Sequence, residues 1–251
     1  METINGEWYM KGCAPTDPNR LRRPEQLEAM IGEIGFLPLF SNEIPGFSVE
    51  ERTTADSWWT GDPATDPWEW RITLAPSGKL AYGKFFDRKA GYVSAEWFPA
   101  LANYRRDGYD FDALYDDGLA PFRMKKLLDA LEPDEEATGL SLLSCDLKEK
   151  AGFGKGGEKN FEGVLTDLQM RTYLLLGDFR QRLNRAGLPY GWHLALVQTP
   201  ETKWGCAAVS AGYRESPETS WERITAKVRA HFPEASEGQL RKLLGIRLPK
   251  K

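Results

Sequence analysis

The segment from Trp58 to Leu119 most constrains how this chain can fold. It holds five of the nine tryptophans of the sequence, Trp58, Trp59, Trp68, Trp70 and Trp97. Interleaved with them are Asp62, Asp66, Glu69, Arg71, Lys84, Lys89, Arg105, Arg106 and Asp107. An ordinary core is built from Leu, Ile, Val and Ala. Large planar side chains alternating with charge fit two other uses. One is a half-polar interior in which indole N–H groups and guanidinium forks satisfy one another. The other is the wall of a site that stacks a flat ligand and clamps an anion. Trp58, Trp59, Asp66, Trp68, Trp70, Arg71, Lys84, Lys89 and Arg105 are therefore the expected groove or pocket residues.

A chain of 251 residues can form one large domain or two to three small ones. With 41% hydrophobic and 28% charged residues it reads as globular rather than disordered. The net charge of −4 argues against a generic polyanion binder, although a local basic face can act within an acidic chain. The charge is also segregated. Residues 43–69 are acidic and dotted with proline, whereas Arg223 to Lys251 is basic. Cys13, Cys145 and Cys206 are too far apart for a zinc site or a disulfide framework, so reduced thiols and a cytoplasmic setting are expected, with no metal and no cofactor. No signal peptide and no apolar run long enough for a membrane span is visible.

Periodicity predicts a first helix from Pro24 through EQLEAMIGEIG, with Leu27, Met30, Ile31 and Ile34 on one face and Gly35 as the stop. FLPLFSNEIPG reads as loop. WEWRITLA, GKLAYGKFF and KAGYVS read as short strands or a helix, and Glu96 to Arg106 as a helix with Pro99 near its start. The aspartates of GYDFDALYDDGLA lack the spacing of a calcium loop and suit a solvated helix face. The block 121–179 is the clearest. A helix (PFRMKKLLDALEP) is followed by the acidic loop 132–139, a short helix (SLLSCDLKEKAGF) expected to be capped by Ser144, and the turn GFGKGG. A longer helix (KNFEGVLTDLQMR) then precedes two strand-like runs, RTYLLLGDF and GWHLALVQTP. That is the element order of a winged helix-turn-helix, whose third helix enters the major groove and whose strand-pair loop touches the DNA backbone. GFGKGG lacks the ending and the preceding strand of a phosphate-cradling nucleotide loop. In the tail, Ser220 and Ser236 are the expected caps of two further helices.

With these pieces in hand, DPWEWR, AYGKFF, KAGYVS, SCDLKEKAGF, EKNFEGVLTDLQMRTYL and GWHLALV resemble, in order and spacing, the AlkZ-related proteins, relatives of the YcaQ-type crosslink-repair DNA glycosylases. The resemblance runs from about Pro24 to Gly245. It implies an α+β, mainly helical fold of tandem winged helix-turn-helix units around a concave groove, with double-stranded DNA as partner and DNA repair as the setting. It also implies metal-free hydrolysis of N-glycosidic bonds by a Gln-x-Gln pair that positions water. The corresponding place here is Gly35-Phe36-Leu37-Pro38-Leu39, where Leu37 and Leu39 cannot orient a water. The Trp-His-Glu-Ala-type stretch of the family falls at Phe86-Asp87-Arg88-Lys89-Ala90.

A substitute carboxylate is Asp66, since a carboxylate walled by tryptophans has a raised pKa and suits a general base. The alternatives are that it caps a turn before Pro67 or pairs with Arg71. His193 and His231, the two histidines, read as core or surface residues. Expected phosphate contacts are Lys148, Lys150, Lys155, Lys159 and Arg171 in the middle block and Arg180, Arg182 and Arg185 on the wing. The expected organisation is a lead-in at 1–23, an aromatic-rich subdomain at 24–119, a winged-helix domain at 120–215 and a basic helix-turn-helix segment at 216–251. The whole is expected to be a monomeric, cytoplasmic, bacterial DNA-binding protein that lacks the glutamine pair. A non-catalytic DNA-binding or regulatory module, a small-molecule-binding protein and a plain interaction domain remain as alternatives.

Overall fold

The computed structural model describes residues 2–4, 7–132 and 141–246. Strands β1 (Glu2–Ile4) and β2 (Glu7–Tyr9) form a separate antiparallel pair. Helix α1 (Pro24–Ile34) starts on a proline in its first turn, buries Leu27, Ile31 and Ile34, and stops at Gly35 as its period predicts. Gly35 has φ +87°, and a Cβ there would meet the Trp97 indole at 2.9 Å, so glycine is needed for both backbone and packing. The chain then enters β3 (Phe36–Pro38) where proline suggested loop, because Pro38 lies at the outer edge of the sheet and no donor is lost. After short 3-10 turns come α2 (Trp70–Leu74), β4 (Leu80–Phe86) and β5 (Lys89–Ser94), then α3 (Phe98–Arg106), α4 (Phe111–Asp116) and α5 (Phe122–Asp129).

The middle block follows the predicted order with one addition. SLLSC is not wholly helical: Leu142–Leu143 form β6, and α6 (Ser144–Lys150) begins directly after it. Ser144 therefore lies inside the helix and does not cap it. Helix α7 (Phe161–Met170), β7 (Leu175–Arg180) and β8 (Leu194–Gln198) follow where expected. Most of the acidic loop expected at 132–139 lies outside the described residues. Helices α8 (Pro200–Trp204), α9 (Cys206–Val209), α10 (Pro217–His231) and α11 (Glu237–Leu244) complete the chain. Ser216, not Ser220, caps α10 by accepting from the Thr219 N–H. Ser220 is buried and donates to Glu215 at 2.6 Å. Ser236 caps α11 within a full capping box, as its spacing to Gln239 predicts.

Six strands make one sheet in the order β3-β5-β4-β7-β8-β6, with every pairing antiparallel. Each half repeats one arrangement: the first strand pairs with the third and the third with the second. The halves meet at β4–β7, where Tyr82 opposes Leu176. Two hydrophobic clusters result. The larger joins α1, β3, β4 and β5 to α10 and α11, and the smaller is built from α4, α5, α6, α7 and Val197. Mixed α+β architecture with a six-stranded open sheet is thus established, and β6-α6-α7-β7-β8 is compatible with a winged-helix-like arrangement.

Candidate nucleic-acid interface

The β7–β8 hairpin ends in a long excursion, residues 181–193, held in shape by its own polar groups. Asn184 accepts from the N–H groups of Ala186 and Leu188, at 2.8 and 3.0 Å. The Gln181 amide donates to the carbonyls of Tyr190 and Gly191, at 3.2 and 3.3 Å. The excursion nevertheless leaves its large apolar side chains in solvent. Leu183, Leu188, Tyr190 and Trp192 are 59%, 60%, 51% and 66% exposed. Four large exposed apolar side chains on one loop make it a candidate contact surface. Beside them Arg182 and Arg185 are exposed and have no ion-pair partner among the described residues. Arg180 at the strand end is tied to Asp178 at 3.0 Å.

The base of this excursion reaches the tryptophan segment. Trp192 stands edge-on to Trp68, with ring centroids 6.0 Å apart. The Arg71 guanidinium lies over Trp68 at 4.0 Å and over Phe179 of β7 at 4.9 Å, and it donates to the Trp68 carbonyl. Glu69 is 3.8 Å from Arg71 and 3.8 Å from His193 Nδ1. Burial pulls the Arg71 guanidinium below its usual range, with Tyr82 and Glu69 acting in the opposite sense. Burial also pushes the Tyr82 hydroxyl up to about 12 and Tyr92 well above the ordinary tyrosine value. The cluster therefore carries a desolvated cation in an aromatic sleeve. Trp68 Nε1 and the Tyr92 hydroxyl are buried without a hydrogen-bond partner.

Of the residues selected from sequence, Trp68 and Arg71 are brought together with the wing. Glu69, Phe179, Trp192 and His193 complete the cluster and were not selected. A tryptophan and a tyrosine inside the glycine- and proline-rich run AGLPYGWH were the available signal, because a purely connecting loop has no need of them. The other selected residues lie elsewhere. Asp66 is fully buried and accepts from the backbone N–H groups of Trp68 and Gly61, at 2.8 and 3.0 Å, so its carboxylate holds a turn. Trp70 is core. Trp58 is buried and donates to Thr53 at 2.9 Å, while Trp59 is 44% exposed beside it. Lys89 is exposed at the β4–β5 turn. Arg105 is in the interior, not at a groove. Its guanidinium donates to the carbonyls of Phe85, Met170 and Leu244, and burial lowers its pKa to about 9.

The third helix of the block differs from the expectation for a recognition helix. Helix α7 buries Phe161, Val164, Leu165, Thr166, Leu168 and Gln169. Its exposed or half-exposed positions include Glu162 and Asp167. Strand β4 covers it: the Lys84 N–H donates to Gln169 at 2.9 Å, and the Lys84 ammonium to Thr166 at 3.2 Å. Arg88 of the β4–β5 turn pairs with Asp167. The face that would enter a groove is thus spent on intramolecular packing. Arg171, at its end, is half-buried with one terminal nitrogen lacking a partner. Lys148, Lys150, Lys155 and Lys159 are exposed, and Lys148 and Lys155 border one shallow depression at the glycine turn.

Among the described residues no group of three or more His, Cys, Asp or Glu side chains is arranged to hold a metal ion. Among the same residues no helix is long and apolar enough to cross a membrane. The fold is mixed α+β with a six-stranded open sheet, consistent with a winged-helix-like architecture. The model of one family, AlkZ related, matches residues 21–245. The chain belongs to the AlkZ-related family. Neither the curated proteins nor the solved structures contain a match to it.

Proposed function

We propose that this protein binds double-stranded DNA through the 181–193 hairpin excursion and does not hydrolyse N-glycosidic bonds by the Gln-x-Gln route. The carrying observation is the coincidence of Arg182 and Arg185 with four exposed apolar side chains on one self-braced loop. Cations that face solvent release counterions from the duplex, and exposed apolar wedges contact or part base steps. The repeated strand arrangement favours reading the two halves of the sheet as tandem winged-helix units, α1-β3-α2-β4-β5 and α5-β6-α6-α7-β7-β8. Lys148, Lys150, Lys155 and Lys159 at the second unit's glycine turn are proposed as auxiliary phosphate contacts.

The non-catalytic part of the reading rests on β3. Phe36, Leu37 and Leu39 are buried and apolar where the resemblance calls for water-positioning amides. Asp66, the substitute carboxylate, is occupied by two backbone N–H groups. Titration of a fluorescent duplex at several salt concentrations tests binding, and incubation with alkylated duplex followed by abasic-site cleavage tests chemistry. Affinity that is independent of salt would remove the binding claim. Abasic sites formed above the protein-free rate would remove the non-catalytic one.

A further inference from the structure

We propose that the tip of the 181–193 excursion is a stacking platform that selects DNA containing unpaired bases over fully paired duplex. This inference rests on the DNA reading above and adds a structural preference to it. The tip is a miniature hairpin. The Asn184 N–H donates to the Leu188 carbonyl at 2.9 Å and the Tyr190 N–H to the Arg182 carbonyl at 3.0 Å, on either side of an antiparallel bridge between Leu183 and Pro189. In that register Arg182 stands opposite Tyr190, and side chains on directly opposed residues share a face. A guanidinium and a phenol ring are thereby set side by side. Tyr190 makes no ring contact and lies under no cation among the described residues. Trp192 touches one ring, that of Trp68, at an interplanar angle of 85°. A perpendicular contact engages the edge of one indole and a single face of the other, so at least one face of Trp192 stays open.

The platform is held in shape without a ligand. The Gln181 amide bonds the carbonyls of Tyr190 and Gly191, next to Trp192 in the chain. Trp68, against which Trp192 stands, carries the Arg71 guanidinium over its ring at 4.0 Å. Rings fixed in advance lose little freedom on binding. Within a paired duplex both faces of a base are covered by its neighbours, so a ring stacks there only by parting a base step against the unstacking energy. A base in a bulge has an open face, and the flanking phosphates match the unpaired guanidinium groups of Arg182 and Arg185. Stacking a base on an aromatic side chain raises affinity by roughly 5- to 150-fold and tolerates any base. The preference is therefore for an interruption of the duplex, not for a sequence.

Competition against a labelled, fully paired duplex, read by fluorescence anisotropy on the full chain, tests the proposal. An unlabelled duplex carrying a three-nucleotide bulge should compete about tenfold better than its fully paired counterpart. Trp192→Ala should reduce that ratio to about twofold or less, and Trp192→Phe, which restores a ring, should recover about half of it. Tyr190→Ala removes a ring with no intramolecular ring contact and should lower the ratio about threefold, so it decides alone if Trp192→Ala fails to fold. Equal competition by bulged and paired duplexes would overturn the preference and leave the DNA reading standing. A ratio unaltered in Trp192→Ala and in Tyr190→Ala would overturn the assignment to these rings. Binding of neither duplex would overturn both readings.

Discussion

Arg182 and Arg185 give the sharpest test of the wing, because their contribution is countable. Both are exposed and carry no ion pair among the described residues, whereas Arg180 is held by Asp178. Each phosphate contact contributes about 0.9 to the slope of log affinity against log salt. Arg182→Ala with Arg185→Ala should therefore lower the slope by about 1.8. Between 50 and 200 mM salt, a slope change of that size narrows the gap between wild type and variant by roughly 12-fold. Arg180→Ala should change the slope by less, since its charge is already partly compensated by Asp178. The assay is fluorescence anisotropy of a labelled duplex at four or more salt concentrations. Thermal unfolding serves as control, because neither side chain supports the core and surface substitutions of this kind stay within about 0.5 kcal/mol. An unchanged slope in the double variant, with wild-type affinity elsewhere on the curve, would refute the assignment of these arginines to phosphates.

Three further outcomes follow from the interior. Arg105→Met leaves the carbonyls of Phe85, Met170 and Leu244 without their donor, so urea unfolding should show a loss of about 3 kcal/mol at about 1 kcal/mol per acceptor; a loss under 1 kcal/mol would mean that these bonds are not limiting. Burial tends to raise the Glu50 pKa, but accepted hydrogen bonds, among them those from the Ser41 and Lys11 N–H groups, bring it below the usual carboxylate value. Its stabilising contribution is then complete above the unfolded value of 4.5 and is lost as pH falls through the lower folded value. The melting-temperature gap between wild type and Glu50→Gln should therefore be widest near neutrality and close on acidification; a constant gap would contradict this. Gly91→Ala should destabilise by about 1–3 kcal/mol through overpacking against Phe86 and the Leu37 carbonyl, as read by the melting temperature.

The elements legible in the sequence were those with enough residues to show a period or a cap. The apolar faces of α1 and α7 repeat over three turns, and Ser236 with Gln239 spells a capping box. Strands β3 and β6 did not show, because three and two residues are too short for alternation to register. At α10 the signal was Pro217, which fixes the first turn and so makes Ser216 the cap; Ser220 looked equally suitable only while that proline was ignored. Arg105 and Arg106 read equally as part of a half-polar interior or of a groove wall; both are buried, Arg105 forking onto backbone carbonyls and Arg106 onto the Thr172 carbonyl and the Glu201 carboxylate, partners distant in sequence. Trp68 and Arg71 are legible as members of the groove or pocket set, but their partners Phe179, Trp192 and His193 come from the far side of the sheet seam and depend on the β4–β7 junction. Local pattern holds no information on such a junction.

The burial of α7 limits the kind of DNA recognition that the proposed function allows. Its Phe161, Val164, Leu165 and Leu168 each gain about 1.5–3 kcal/mol from burial, and β4 and the Arg88 turn close the remaining side. Presenting the β4-covered face to a major groove would break the Lys84 hydrogen bonds to Gln169 and Thr166 and the Arg88–Asp167 ion pair. Base-edge reading in the major groove normally relies on a helix or ribbon that can enter it. With α7 committed internally, the proposed wing contact would supply guanidinium groups for phosphates and apolar rings for stacking or wedging, neither of which distinguishes one base pair from another in detail. Binding should therefore be strong at low salt and nearly indifferent to sequence. Unlabelled duplexes of equal length and different composition should compete for the labelled duplex within about threefold of one another, well below the roughly 10³-fold or greater ratio of a sequence-specific protein. A competitor preferred by that larger margin would show that a base-reading surface exists and that α7 leaves its seat to form it.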